Sequence, residues 1–159
     1  MKKFILLLAM MLCTIGGFAQ KGTIKYLETR PGIYPIMLNE SITKYLKDVE
    51  PIGKIENGNG YVRLDEDYCV LETANLLEVL ATFEKYIVSN VLFYVSSSFK
   101  QNCFESLVKL YGEPKDNNGQ YVWTSENYVL TYELNPNDLP EKRKGQAIGL
   151  FMRKKDLEK

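Results

Sequence analysis

Residues 120–133, QYVWTSENYVLTYE, read as two short strands around a polar turn: Tyr121, Val122 and Trp123 lead into Ser125-Glu126-Asn127, and Tyr128 opens a second alternating run. β-Branched and aromatic residues suit a pleated, half-buried surface, and Asn tolerates the left-handed conformation that closes a three-residue hairpin loop. Residues 60–72, GYVRLDEDYCVLE, spell a similar pattern. Aligning Tyr61 with Tyr121 also matches Val62 with Val122, Glu66 with Glu126 and Tyr68 with Tyr128, and puts Asp65-Glu66-Asp67 where the later copy turns.

The agreement extends upstream at helical spacing. Ile42, Tyr45, Leu46 and Val49 form an i, i+3, i+4, i+7 stripe, and so do Phe104, Leu107, Val108 and Tyr111; such a stripe is what an amphipathic helix lays on a core. Asn39 is positioned to cap the first helix, with Glu40 in its opening turn, and Asn102 with Glu105 resembles a capping box on the second. Gly112 and Pro114 stop the second.

Downstream, residues 91–98 (VLFYVSSS) and 146–153 (QAIGLFMR) read as closing strands. Residues 76–89 fit both periods: as a strand they hairpin with 91–98 through Ser89-Asn90, and as a helix they are an insertion peculiar to the first half. The strand is the preferred reading. The expected fold class is therefore α+β, with two similar α-β-β-β units at 39–98 and 99–153, each an antiparallel sheet with its helix packed on one face. An extended N-terminal segment, 20–38, precedes them, and a charged tail, 154–159, follows.

The first twenty residues, MKKFILLLAMMLCTIGGFAQ, carry two lysines, an apolar run from residue 4 to 13, and the small residues Gly16, Gly17 and Ala19. This is the three-part pattern of an export signal, 1–19, cleaved near Ala19, and the run is too short to span a bilayer. Cys13 follows Met10, Met11 and Leu12, so it lacks the small residue a lipidated cysteine needs before it. The expected location is periplasmic or extracellular, with no transmembrane segment after processing.

The whole chain has 20 basic and 20 acidic residues; loss of Lys2 and Lys3 leaves 18 against 20, a net charge of −2. A near-neutral chain has no basic field to steer it to nucleic acid or anionic lipid. Cys69 and Cys103 remain, in a compartment that permits a disulfide between them, although Cys69 aligns with Val129 and its plainer reading is a small buried hydrophobe.

The chain contains no histidine. That removes Ser-His-Asp and Cys-His nucleophile systems and most catalytic zinc sites. No phosphate-cradling glycine motif occurs, and ENGNGYV at 56–62 leads into a strand, as a turn does. Asp65, Glu66 and Asp67 could offer oxygens to calcium but lack the twelve-residue loop such a site needs, so a solvated tip is the plainer reading. Lys142-Arg143-Lys144 and Arg153-Lys154-Lys155 flank one strand and stand about 25 Å apart at ~3.3 Å per residue, too far for one patch. No cofactor or metal is expected.

The segment FESLVKLYGEPKDNNGQYVW (104–123), followed by an alternating strand, resembles the closing unit of uncharacterised small exported proteins of Bacteroidota, and the FAQ end of the signal is similar too. The resemblance covers 102–153 closely and 39–98 loosely. As an architecture, the tandem units resemble the β-lactamase inhibitor protein and related periplasmic modules. What that resemblance implies is binding through a sheet surface and loops; no functional residue carries over.

Tyrosine is the least bland feature: all eleven lie beyond the signal. Tyr128 and Tyr132 alternate with Asn127, Val129 and Thr131, and the plainer reading packs them under a helix. The sharper one places Tyr61, Tyr94, Tyr121 and Trp123 on an open sheet face, where aromatics build recognition surfaces. The expectation is a non-enzymatic binding module for a protein or envelope component, met on a sheet face or in the groove between units. The alternatives are a small envelope hydrolase or carbohydrate-active enzyme using carboxylates, and a scaffold that assembles with itself.

Overall fold

Eight strands hydrogen-bond into a single antiparallel sheet in a computed structural model of the chain, which describes residues 21–158. The expected export signal and Cys13 lie outside the described residues. In chain order come helix α1 (Lys25–Thr29), a hairpin of β1 (Gly32–Ile33) and β2 (Ile36–Met37), then β3 (Val49–Glu56) and β4 (Asn59–Leu64). A second small hairpin, β5 (Val70–Leu71) and β6 (Ala74–Asn75), leads to β7 (Glu78–Glu84) and β8 (Ile87–Val95). Helix α2 (Lys100–Tyr111) precedes β9 (Lys115–Asn117), β10 (Gln120–Thr124), β11 (Tyr128–Glu133) and β12 (Ala147–Arg153).

The strand order is β3-β4-β7-β8-β12-β11-β10-β9. This corrects the α+β expectation of two α-β-β-β units. The chain is mostly β, with one large sheet and two α-helices among the described residues. β8 pairs with β12 along six positions, so hydrogen bonds run unbroken across the expected boundary at 98/99. The N-terminal segment, expected to be extended, holds α1 and the β1–β2 hairpin, and buries Leu27, Ile33 and Ile36. The tail expected at 154–159 begins with a 3-10 turn, Lys154–Asp156.

The first helix fails for local reasons. Residues Ile42–Tyr45 make only a 3-10 turn, Leu46 is exposed, and Val49 already belongs to β3. Pro51 drives Glu50 out of the helical region, which leaves too few residues for a stable helix. Asn39, expected as the cap, has φ 64° and donates through Nδ2 to the Tyr128 hydroxyl at 2.9 Å, while Ser41 accepts from the Thr43 amide instead.

Only one of the two look-alike stretches is a hairpin. β10 and β11 pair as expected, Tyr121 opposite Tyr132 and Trp123 opposite Leu130. In the first stretch Asp65 caps a 3-10 turn, and β4 pairs with β3 before it and β7 after it. β3 carries Pro51 and Gly53, residues that an edge strand tolerates. Residues 78–84 are a strand, but the turn that follows is Lys85-Tyr86, both at positive φ, and Ser89 and Asn90 lie within β8. Neither Lys nor Tyr advertises that conformation. Tertiary bonds impose it: the Lys85 amide donates to Asn59 Oδ1 at 2.9 Å, and the Tyr86 amide to the Gly58 carbonyl at 2.6 Å.

The inner sheet face is read directly from the register. Trp123, Leu130, Phe151, Val91, Ala81 and Val62 lie side by side on six consecutive strands, and all are buried. α2 covers one half through Cys103, Leu107, Leu110 and Tyr111; the N-terminal residues Leu27, Ile36, Leu38 and Ile42 join the same core. Gly112, at φ 82°, ends α2, and its carbonyl accepts from Trp123 Nε1 at 2.7 Å.

Gly149 faces Phe93 across β12 and β8, and a Cβ there would stand 2.0 Å from the ring. Phe93 thereby reaches Tyr132 and Phe151, at centroid distances of 6.2 and 5.8 Å. Gly149→Ala is expected to lose at least ~2 kcal/mol, the upper range for overpacking a tight core. Urea unfolding measures this, and a variant within ~0.5 kcal/mol of the parent would mean that the ring does not occupy the glycine's space.

Candidate functional site

Among the described residues no α-helix packs on the second face of the sheet, and the same register defines it. One row runs Ile52, Tyr61, Thr82, Asn90, Met152, Val129 and Thr124. The next runs Arg63, Leu80, Leu92, Leu150, Thr131 and Val122, and a third runs Glu78, Tyr94, Ile148, Glu133 and Gln120. Strands with one solvated face normally alternate apolar with polar; β8 and β12 do not. They present Leu92, Tyr94, Ile148, Leu150 and Met152 outward, all partly exposed. A groove of about 470 Å³ lies over this band, lined by Leu92, Val122, Ile148, Leu150 and Met152.

The other end of the face is polar and holds an open cavity of about 1060 Å³. Three segments meet there: the β3–β4 hairpin, the β7–β8 turn and the 3-10 turn after β12. The Asn57-Gly58 pair, both at positive φ, closes the first, so the stretch 56–62 is the turn its composition suggests. Between Thr82 and Phe83 the β7–β8 register slips. Ser89, buried at this bulge, shares a hydrogen bond with Thr82 Oγ1 at 3.1 Å, and Asn90 Nδ2 donates to the same oxygen at 3.0 Å.

The structure divides the four expected aromatics. Tyr121 and Trp123 face inward against Phe104 of α2, with ring centroids 4.4 and 6.3 Å away. Trp123 is core, as are Tyr128 and Tyr132, and Tyr121 is partly buried against it. Tyr94 lies on the outer face under the Arg143 guanidinium, 4.0 Å from its ring centroid. Arg143 is held there by Glu78, which also pairs with Arg63 at 2.8 Å. Tyr61 alone of the four stands open, at 60% exposure, on the wall of the polar cavity.

Sequence reasoning missed Thr82, Ser89 and Asn90, and it missed the apolar band. For the band a signal existed: VLFYV and AIGLFM carry apolar residues at both alternating positions, the mark of strands with both faces covered. For the polar cluster there was none, because the bulge that gathers it depends on a turn made by Lys85 and Tyr86.

The basic clusters stay apart, as expected of them. Arg143 serves Glu78 and Tyr94, while Arg153 is buried and pairs with Asp156 and with Glu84 at 3.6 Å. Asp65 accepts from the Asp67 amide, and no group of three or more metal-ligating side chains occurs among the described residues. The carboxylates of the polar cavity, Glu56, Glu84 and Asp156, are each engaged by a cation. No helix of the described residues is long and apolar enough to cross a membrane. Comparison with family models, curated proteins and solved structures finds no match to this chain.

The disulfide that Cys69 and Cys103 could have formed is absent: both are free thiols buried in the core, and Cys69 is the small buried hydrophobe of its plainer reading. Burial raises both above the ordinary thiol value of 9.0, Cys103 to about 12. Burial likewise raises the hydroxyls of Tyr111 and Tyr132. The unfolded chain then releases these protons at lower pH than the folded one, so their contribution is complete below pH 9.0 and is lost as pH rises toward 12. The urea midpoint is expected to fall over that window. At pH 8 a maleimide should label neither Cys69 nor Cys103 until denaturant is added; rapid native labelling would contradict their burial.

Proposed function

We propose that this protein is an exported, non-enzymatic binding module that meets a protein or envelope component on the open face of its sheet. Residues 1–19 act as the export signal in this reading, and the likeness of 102–153 to small exported proteins of Bacteroidota supports it.

One observation carries the proposal. The outward residues of the two central strands, Leu92, Tyr94, Ile148, Leu150 and Met152, form a partly exposed apolar band that no α-helix of the described residues covers, with Arg143 over Tyr94 at one margin. Apolar area of this kind is stabilised by leaving water, at about 25 cal/mol per Å², and contiguous exposed patches mark interaction sites. The surround is suited to recognition: Glu78, Arg63 and Arg143 form a fixed charged rim at one margin, and Tyr61 with the polar cavity forms the other. Charged rims around apolar centres are the usual anatomy of a non-obligate interface.

The test is capture from envelope extract by immobilised protein, comparing the parent with the L92E/L150E double variant. Both side chains are partly exposed on the outer face and neither belongs to the core, so the fold should survive, which circular dichroism checks. The variant is expected to lose at least about tenfold of any specific capture, the scale for truncating an interface centre. Equal capture by both proteins would refute the open face as the contact surface.

A further inference from the structure

The polar end of the open face differs in chemistry from the apolar band. Its cavity of about 1060 Å³ exceeds the ~300–1,000 Å³ of ordinary small-molecule pockets, so it admits a chain of more than one ring. Lys54, Lys85, Arg153 and Lys155 nearly balance Glu56, Glu84 and Asp156. Lys54 pairs with Glu56 at 2.8 Å, and Arg153 with Asp156 and Glu84. So balanced a lining presents no field that would select a phosphate or a polyanion. The remaining lining is rich in amides and hydroxyls, from Asn57, Asn59, Thr82, Ser89 and Asn90, which disfavours an apolar ligand.

Of the apolar groups in the lining, Phe83 is buried and Ile87 partly so, and the Tyr61 ring is the one that stands exposed. It sits on β4 directly opposite Thr82 on β7, and Thr82 sits opposite Asn90 on β8. Neighbouring strands are about 4.8 Å apart, so an aromatic platform, a hydroxyl and an amide follow one another in steps close to the length of a pyranose ring. The polar pair is held in place before any ligand arrives. Buried Ser89 bonds both the Thr82 hydroxyl, at 3.1 Å, and the Thr82 carbonyl, at 3.2 Å. Asn90 gives one amide hydrogen to Thr82 Oγ1, which fixes its rotamer and leaves its second N–H and its Oδ1 to bond outward.

From this arrangement we propose that the cavity binds a neutral oligosaccharide. Tyr61 stacks on the apolar C–H face of one ring, and Asn90 and Thr82 take hydroxyls of that ring or the next. A saccharide is uncharged, dense in hydroxyls at its edges and apolar on its ring faces, which is the combination this cavity complements. The bulge at Ser89 is the device that aims these groups, as bulges at binding sites commonly do. The assignment rests on the binding-module reading above and names the ligand class for one end of the face.

The experiment is a titration of isotope-labelled protein with cellohexaose, xylohexaose, maltohexaose, mannohexaose and chitohexaose, followed by amide chemical shifts. At least one probe is expected to move Tyr61, Thr82 and Asn90 with a dissociation constant of about 1 mM or tighter. Tyr61→Ala should weaken that binding by about tenfold or more, whereas Tyr61→Phe, which keeps the ring, should stay within about threefold of the parent. Tyr61 is exposed, so neither variant threatens the core. Silence from every probe, shifts confined to Leu92 and Leu150, or undiminished binding by Tyr61→Ala would each overturn the saccharide assignment. If the probes are silent but envelope capture still depends on Leu92 and Leu150, only this assignment falls; if capture is indifferent as well, the binding-module reading falls with it.

Discussion

The pairing of β8 with β12 is the constraint from which the rest of the structure follows. Before it forms, β3, β4, β7 and β8 are one antiparallel ribbon, and β9 to β12 are another. Six facing positions weld the two edges into a single sheet. The weld is specific because Gly149 opens a hole that only a flat ring can use, and Phe93 fills it. Through that ring the first ribbon touches Tyr132 and Phe151 of the second. Register is thereby pinned, since a one-residue slip would put Leu92 where Phe93 belongs and send every apolar set to the wrong face.

Once the sheet is one object, its two faces are unequal. α2 and the N-terminal residues cover only one of them, the face on which Trp123, Leu130, Phe151, Val91 and Phe93 are almost wholly removed from water. The other face keeps the outward side chains of the same central strands. A protein that needed only stability would place polar residues there. Leucine, isoleucine and methionine at Leu92, Ile148, Leu150 and Met152 are a local departure from the alternation that a solvated face favours.

Much of the second half was legible in the sequence. The stripe of Phe104, Leu107, Val108 and Tyr111, stopped by Gly112, is α2, and 120–133 is the β10–β11 hairpin. The first half was less so, for identifiable reasons. Ile42 and Tyr45 do point into the core, but a 3-10 turn buries such a pair as well as a helix does, and Pro51 forbids the longer element. The likeness of 60–72 to 120–133 reflects strand composition rather than pairing, since β4 takes its partners from β3 and β7. Residues 49–56, with a proline and a glycine, do not look like a strand until the edge position that tolerates them is known. At the site, tyrosine content pointed to aromatics without telling inside from outside. That distinction depends on register, and it separates Tyr61 from Trp123 although both sit in the same kind of stretch.

The sheet order also dictates a sequence of events. In the first ribbon the longest connection is the one from β4 to β7, which spans only the β5–β6 hairpin, so the ribbon can close early, whereas β8 must wait for a strand separated from it by α2, β9, β10 and β11. Loop closure over such a distance is slow. Until it happens β8 is a bare edge of nine residues, apolar on both faces from Val91 to Val95 and without a proline to blunt it. A chain that reached its destination as a linear polymer would pass through this state each time, with its stickiest strand waiting longest for its partner. The same side chains that give the finished molecule an uncovered face thus make its assembly a race between intramolecular closure and association with other chains.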